Sequence, residues 1–484
     1  MTSLRTAPRA YAPVLARASR ARGAVLLAAL LASPAFISVG AQVAAPAPNA
    51  RVDSTMPAPG QAVTLTLGDA VRLAARQAPG AESARYRAEE SRARVTQRRA
   101  DLLPNLSASA LRNARTFNTA TFGISFPSAP GQPPLFDPRG EVAGPVTLTD
   151  LRAKGTLNLL DLAVFARIRA ARTAASASEL DAENASETAA SQAANAYLRA
   201  LRADAQLRAR SADSTLAEDL LGIAQAQLKA GTGTALDVTR AQSQRAGVRA
   251  QLIAARSERS RTRLDLLRTL GVPLNVSVTL ADSLDQMPTA DSAPNGDAAT
   301  ARALANRPDL RAAEQQLVAA RQGVRALQAE RLPSLSAFGD QGVIGQASNR
   351  LLNTYDWGIQ VSLPLFDGFR REGRIEEQRA VAGEADVKRR DLRAQAEVEV
   401  RAALLDLTSA REQVDAARER LRLTEQEVSQ TRERFAAGVG GNAEVITASL
   451  GLTASRNQLL DALTQYQTSR VALARAQGDA RMLP

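Results

Sequence analysis

The groups that could do chemistry in this chain are carboxylates, guanidinium groups, a few lysines and hydroxyls. Its 484 residues include no Cys and no His. Thiol nucleophiles, zinc fingers, haem attachment, imidazole-based triads and disulfide frameworks are thereby excluded. Two acids stand out by position. Asp237 completes Thr234-x-x-Asp237, the form of a capping box, just past Gly231-Thr232-Gly233. Glu444 follows Gly438-Val439-Gly440-Gly441-Asn442. Each falls in the first turn of a predicted helix, where a carboxylate complements the helix dipole and answers free backbone N–H groups. Asn442 reads as an N-cap. No catalytic constellation surrounds either acid, so the sequence reads as a non-enzyme with no cofactor and no bound metal.

The elements that position these acids are long helices. Residues 162–229 hold no Pro and a single Gly, and are dense in Ala, Leu, Arg, Glu and Gln, the strongest helix formers. At 1.5 Å per residue such a helix is about 100 Å long. Residues 367–436 are similar. Val400, Leu404, Leu407, Val414, Leu421, Val428 and Phe435 recur at near-heptad spacing, as do Val445, Leu452, Leu459, Leu463, Tyr466 and Leu473. This spacing packs helices as coiled coils. Helices at 235–270 and 443–477 return from glycine-marked turns, in which Gly231 and Gly438 supply a left-handed stop.

The chain repeats itself. A shift of 207 residues lays Gly231 and Gly233 on Gly438 and Gly440, Gln251-Leu252 on Gln458-Leu459, and Gly271 on Gly478. A shift of 229 lays Pro79 on Pro308 and Leu103-Pro104 on Leu332-Pro333. The extra residues of the first copy fall in 118–145, whose six prolines argue against regular structure. The copies span 63–272 and 301–479. Residues 273–300 read as an exposed acidic connector, and 480–484 as a tail. Each copy runs helix, strand, loop, strand, long helix, turn, helix.

Strands are predicted at 105–117, 146–160, 334–343 and 354–366. Tyr355, Trp357, Ile359, Val361, Leu363 and Leu365 alternate with polar or small residues, and 151–159 alternates likewise. One apolar and one polar face fits a membrane barrel or a half-buried soluble sheet. Of the 14 aromatics beyond residue 41, ten lie in 105–165 and 334–369. That clustering favours the barrel, whose aromatics gather at the membrane interfaces. Four strands cannot close a barrel, and open edges are not tolerated in lipid. The hairpins must therefore be shared between copies. Two copies give eight strands with a filled interior, and three give twelve with a channel.

Residues 1–41 carry five Arg and no acid, then an apolar stretch and Val39-Gly40-Ala41. They read as a secretory signal peptide, with 42–62 as an Ala/Pro-rich tether. The formal charge of +12 falls to +7 without the signal. Acids and bases alternate along the same helices, so no nucleic-acid partner is expected.

Three segments carry a family resemblance: Arg307-Pro308-Asp309-Leu310-Arg311-Ala312-Ala313-Glu314, Arg331-Leu332-Pro333-Ser334-Leu335-Ser336, and Val361-Ser362-Leu363-Pro364-Leu365-Phe366-Asp367-Gly368. With them the chain, over about 63–479, resembles the TolC family of outer-membrane efflux proteins. The resemblance implies a mixed, mostly α fold. Long helical hairpins would form an α-barrel continuous with a shared 12-stranded transmembrane β-barrel, four strands per protomer. It implies a homotrimer in outer-membrane lipid, with its extension in the periplasm, serving a tripartite efflux pump or type I secretion system. The partners would be a periplasmic adaptor and an inner-membrane transporter. A periplasmic adaptor protein with its own helical hairpin is the alternative, but it needs neither two strand-and-helix repeats nor aromatic-belted strands.

The resemblance assigns Asp237 to bonds holding the tips shut and Glu444 to a gate or selectivity ring. It makes Gly231, Thr232, Gly233, Gly438, Val439, Gly440 and Gly441 adaptor-docking tips. Phe117, Phe338, Tyr355 and Trp357 would form the membrane belt. Pro364, Phe366 and Gly368 would form the strand-to-helix corner. Gly440 stands where some members carry an Arg, Thr447 where some carry a second acid, and Asn158 where the second copy has Pro364, which implies a looser first corner.

Overall fold

The computed structural model describes residues 62–122, 140–284, 295–346 and 350–484. Residues 1–41, read above as a signal peptide, and nearly all of 42–62, read as a tether, lie outside them. Two helices open the first repeat, α1 (Leu67–Gln77) and α2 (Pro79–Ala100). They follow a short strand, β1 (Ala62–Leu65). Then come β2 (Asn105–Asn118), β3 (Val142–Leu160), α3 (Leu162–Lys229) and α4 (Ala235–Leu270). A short β4 (Ser277–Leu280) leads into the second repeat. That repeat holds α5 (Gly296–Asn306), α6 (Pro308–Ala329), β5 (Ser334–Gly345), β6 (Leu352–Ser362), α7 (Arg370–Ala436) and α8 (Asn442–Gln477). The shift of 229 carries α1 and α2 onto α5 and α6, and that of 207 carries α4 onto α8, residue for residue at both ends.

Several expectations need correction. The single helix expected at the start of each repeat is two helices. Pro79 and Pro308 restrict Ala78 and Arg307 to extended backbone, which breaks the run. The connector at 273–300 is not simply exposed. β4 pairs in parallel with β1, α5 already starts at Gly296, and Leu284 is fully buried. β3 begins at Val142, inside the proline-rich stretch. It includes Pro145, opposite a register shift between Arg115 and Phe117 in β2, where a residue without N–H is tolerated. β6 stops at Ser362 rather than 366. Ser362 pairs with Ser334, the first residue of β5, and Pro364 cannot continue the ladder.

β2, β3, β5 and β6 form one antiparallel sheet in that order, so the two hairpins meet along β3 and β5. Among the described residues β2 and β6 are its free edges. The long helices lie side by side: toward the tips α3 packs on α4 and α8, and α8 on α7, while nearer the sheet α6 packs between α3 and α7 and α2 covers the other side of α3, so that α7 lies at one flank and α2 with α4 at the other. Their cores are rich in alanine. Ala189, Ala190, Ala193, Ala194 and Ala196 of α3 are buried with Tyr197 and Leu198 against α1 and the end of α4. Val400, Leu407, Val414, Leu463, Tyr466 and Leu473 join α7 to α8.

Tyr197 ties the connector to this core. Its hydroxyl lies 2.8 Å from both the Leu65 carbonyl and Asp282 Oδ2, and Asp282 also accepts from Leu67 N at 2.8 Å. Burial, then the bond to Asp282, pushes the phenol well above its ordinary range. Tyr197→Phe keeps the packing and removes this link. It is expected to lower stability by about 1–2 kcal/mol, read as a lower urea midpoint with an unchanged slope.

Candidate functional site

The helical tips are built by matching Schellman turns. Gly231 N–H donates to the Leu228 carbonyl and Thr232 N–H to Gln227; Gly438 donates to Phe435 and Val439 to Arg434. Gly231 and Gly438 both have φ of +73°, which a side chain would strain. Gly233 and Gly440 then pass close to the helix behind. A Cβ would lie 2.9 Å from Gln227 Cβ at Gly233 and 3.2 Å from Arg434 Cβ at Gly440. Val439 and Thr232 stand exposed at the turns.

The two sequence-predicted acids differ. Thr234 Oγ1 donates to Asp237 Oδ2 at 2.6 Å and accepts from Asp237 N at 3.2 Å, completing the capping box. The Asp237 carboxylate therefore serves its own helix. Glu444 is exposed in the first turn of α8, and its carboxylate meets no partner among the described residues.

Asn442 is not the N-cap of α8; Gly441 occupies that position without a side-chain bond. Asn442 instead turns inward, 2% exposed, and its Nδ2 donates to the Asp237 carbonyl at 2.8 Å. Beside it, Gln227 Nε2 donates to the Phe435 carbonyl at 2.6 Å. Leu220, Leu221, Ala224, Ala241, Phe435 and Val445 pack between these links. The hairpins are thus fastened to each other at their tips through side chains that reach backbone carbonyls. Sequence reading misses both links, because each joins residues more than 200 apart and Asn also suits a cap.

At the other end, the sheet separates its residues by face. Register places Tyr355, Trp357, Ile359 and Val361 of β6 beside Gln341, Gly339, Ala337 and Leu335 of β5. These in turn face Leu151, Ala153, Gly155 and Leu157 of β3 or lie next to them. Tyr355 and Trp357 are 72% and 76% exposed. Phe338 does not belong with them. It pairs with Thr156 and Gly358, on the face of Arg152, Asp340 and Asp356. The run Ala337-Phe338-Gly339 has no clear alternation, so only the cross-strand register reveals this. Phe117, beyond the bulge, pairs with Ala143 and is half-buried.

The strand-to-helix corners also reverse an expectation. The first is the tighter one. Asn158 lies within β3, where its Nδ2 donates to the Asp101 carbonyl, and Asp161 alone joins β3 to α3, accepting from Ala163 N and Val164 N. The second takes seven residues, 363–369. Gly368 and Phe369 are both left-handed, at φ of +70° and +64°, and the rings of Phe366 and Phe369 meet edge-on at 5.5 Å. Asp367 pairs with Arg371 at 3.3 Å. Pro364 ends the sheet, and the turn itself falls four residues later.

No helix among the described residues is long and apolar enough to cross a membrane, and none of their acidic side chains gather as a metal site. The fold is that of outer-membrane channels. It superimposes on CusC with a TM-score of 0.70 at 18% identity, covering 86% of this chain and 92% of that one. The CmeC outer membrane channel of Campylobacter jejuni gives 0.69 at 20% identity, covering 86% of each. Residues 70–272 and 300–479 match the outer membrane efflux protein family. The chain belongs to that family, and its location is the outer membrane. The toluene efflux pump outer membrane protein TtgF of Pseudomonas putida is 29% identical over 279 residues, 55% of this chain and 56% of its own length. The chain thus spans little more than half of that relative. The outer membrane efflux protein BepC of Brucella suis is 24% identical over 347 residues, 69% of this chain and 74% of its own. The alkaline protease secretion protein AprF of Pseudomonas aeruginosa is 26% identical over 335 residues. The alternative of a periplasmic adaptor finds no support.

Proposed function

We propose that three copies of this chain form a passive exit duct across the outer membrane and periplasm, closed at the helical tips. The observation that carries this reading is the pair of matched free flanks. Among the described residues the sheet ends in two unpaired edges, β2 and β6, and the helical layer ends in α7 on one side and in α2 and α4 on the other. Those flanks leave Ile253 and Leu264 of α4 and Val398, Leu405 and Leu423 of α7 exposed. A cyclic arrangement joins β6 to the next β2 and α7 to the next α2 and α4, and closes both layers at once. Three copies give twelve strands, with the bare apolar face in lipid and the charged face in water. Tyr355 and Trp357 form its aromatic belt.

The energy for export comes from a partner. The turns at Gly231-Thr232-Gly233 and Gly438-Val439-Gly440-Gly441 present a compact surface for a periplasmic adaptor coupled to an inner-membrane transporter. The relatives' names span toluene, an alkaline protease and pyoverdine, which suits a duct whose cargo is chosen upstream. Tip opening separates the hairpins and must break the Asn442 and Gln227 links.

Glu444, repeated three times, forms a carboxylate ring at the periplasmic mouth and favours cations. The test is reconstitution. In detergent, light scattering should give the mass of three chains, and in planar bilayers the protein should conduct. Glu444→Ala should then lower the cation-to-anion permeability ratio by about twofold or more. A monodisperse monomer in detergent would overturn the duct, and an unchanged reversal potential would overturn the ring.

A further inference from the structure

The charged face of the sheet is more ordered than a wetted wall requires. Asp150, Arg152 and Lys154 alternate along β3 and so point to one side. Register sets Lys154 opposite Asp340, and Asp340 opposite Asp356, in a single row across β3, β5 and β6. Two aspartates directly opposite each other repel. The neighbouring row, Arg152–Gly342–Thr354, supplies the counterion. Arg152 extends across Gly342. Its Nη1 pairs with Asp340, its Nε donates to Asp150 at 3.3 Å, and its Nη2 reaches Thr354 on β6 at 3.0 Å. Its side chain is only 16% exposed. A Cβ on Gly342 would lie 2.4 Å from the Leu151 carbonyl oxygen and 3.0 Å from Arg152 Cβ. Phe338 does the same one row beyond the charges: a Cβ on Gly358 would meet its Cζ at 2.9 Å. Two glycines thus let two bulky side chains lie flat along the wall.

This arrangement fixes which charges act on a passing solute. Arg152 is committed to Asp150 and Asp340. Lys154 and Asp356 are exposed, and neither has a partner among the described residues. From Asp150 to Lys154, one arginine and one lysine stand against three aspartates, so these rows carry one net negative charge per protomer; Arg115, opposite Val146 on the same face, lies four residues further along.

We propose that these rows form a second charge filter, inside the membrane barrel, that favours cationic solutes over anionic ones and stays open because Arg152 and Phe338 are folded down over Gly342 and Gly358. It rests on the shared-barrel reading above and acts in series with the tip. The solutes it favours are cations, whether metal ions or organic amines. Phosphate- or carboxylate-bearing solutes are disfavoured.

The experiment uses the full chain in planar bilayers under a KCl gradient, with the reversal potential as readout. Lys154→Gln should raise the cation-to-anion permeability ratio, and Asp356→Asn should lower it, each by about twofold. Neither residue makes an ion pair, so neither variant endangers folding. Arg152→Gln, which uncovers Asp150 and Asp340, should move the ratio the same way as Lys154→Gln. Arg112 pairs with Thr149 on the opposite face, and Arg112→Gln should leave the ratio unchanged. Conducting trimers whose reversal potential is the same in Lys154→Gln and Asp356→Asn would overturn the filter and leave the duct intact. Failure of the unaltered protein to conduct would overturn the duct, and the filter with it.

Discussion

Arg307→Ala should lower the stability of the helical layer by about 3–5 kcal/mol, the range for removing one partner from a buried ion pair. Arg307 is 3% exposed at the break between α5 and α6. Its Nη2 meets Asp309 at 2.7 Å, its Nη1 meets Glu399 at 2.5 Å, and Nη1 also reaches the Ala476 carbonyl at 3.4 Å. One guanidinium therefore joins α6, α7 and the end of α8. Burial pushes the Asp309 carboxyl upward, but its bond to Arg307 outweighs this and holds it below the usual carboxylate range. A depressed folded pKa contributes stability above the unfolded value, near 3.9, and loses it as pH falls through the folded one. The node is therefore constant across neutral pH and fails only in acid. Urea unfolding followed by circular dichroism checks this. Arg307→Met with Asp309→Asn should recover much of the loss, because only Glu399, whose side chain is 38% exposed, then stays without its partner. Equal losses in both variants would mean that packing, not charge, holds this junction.

Asn442→Ala should produce a channel that opens without its partners. The side-chain bond to the Asp237 carbonyl, which also takes part in the α4 ladder, is worth about 1 kcal/mol, which shifts an open–closed equilibrium by about fivefold per protomer. Single-channel recordings should show larger or more frequent openings than the unaltered protein. Asp237→Asn keeps the carbonyl and disturbs only the capping box, so it should leave the openings largely unchanged. Unaltered openings in Asn442→Ala would show that the Asn442 link plays no part in closure.

The helices were the legible part. Glycine at 231, 271, 438 and 478 marks left-handed stops, and Thr234-x-x-Asp237 marks a start. Local sequence decides those ends, so local sequence reveals them. The repeat was legible for a related reason: both copies keep their turn residues at fixed offsets. What pairs distant segments was not legible. Phe338 looks like a belt aromatic until its register with Thr156 and Gly358 is known. Asn442 looks like a cap until Asp237 is seen beside it. Arg152 and Asp340 belong to different repeats, and nothing in either segment announces their pairing. Asp237 and Glu444 were found by position alone, which located the tip but could not separate an acid serving its own helix from one left open to solvent.

The unequal corners have a mechanical consequence. α3 is welded to its strand by Asp161, so any tilt of the first hairpin drags the sheet with it. α7 follows a seven-residue joint containing two left-handed residues, and its first turns are tied back to the end of α6 by Arg374 with Glu330 and Glu372 with Arg331. The first hairpin is thus carried by a direct link to its own strand, the second by ion pairs to the helix that precedes its strands. A pull on the periplasmic end would load backbone in the one and side chains in the other.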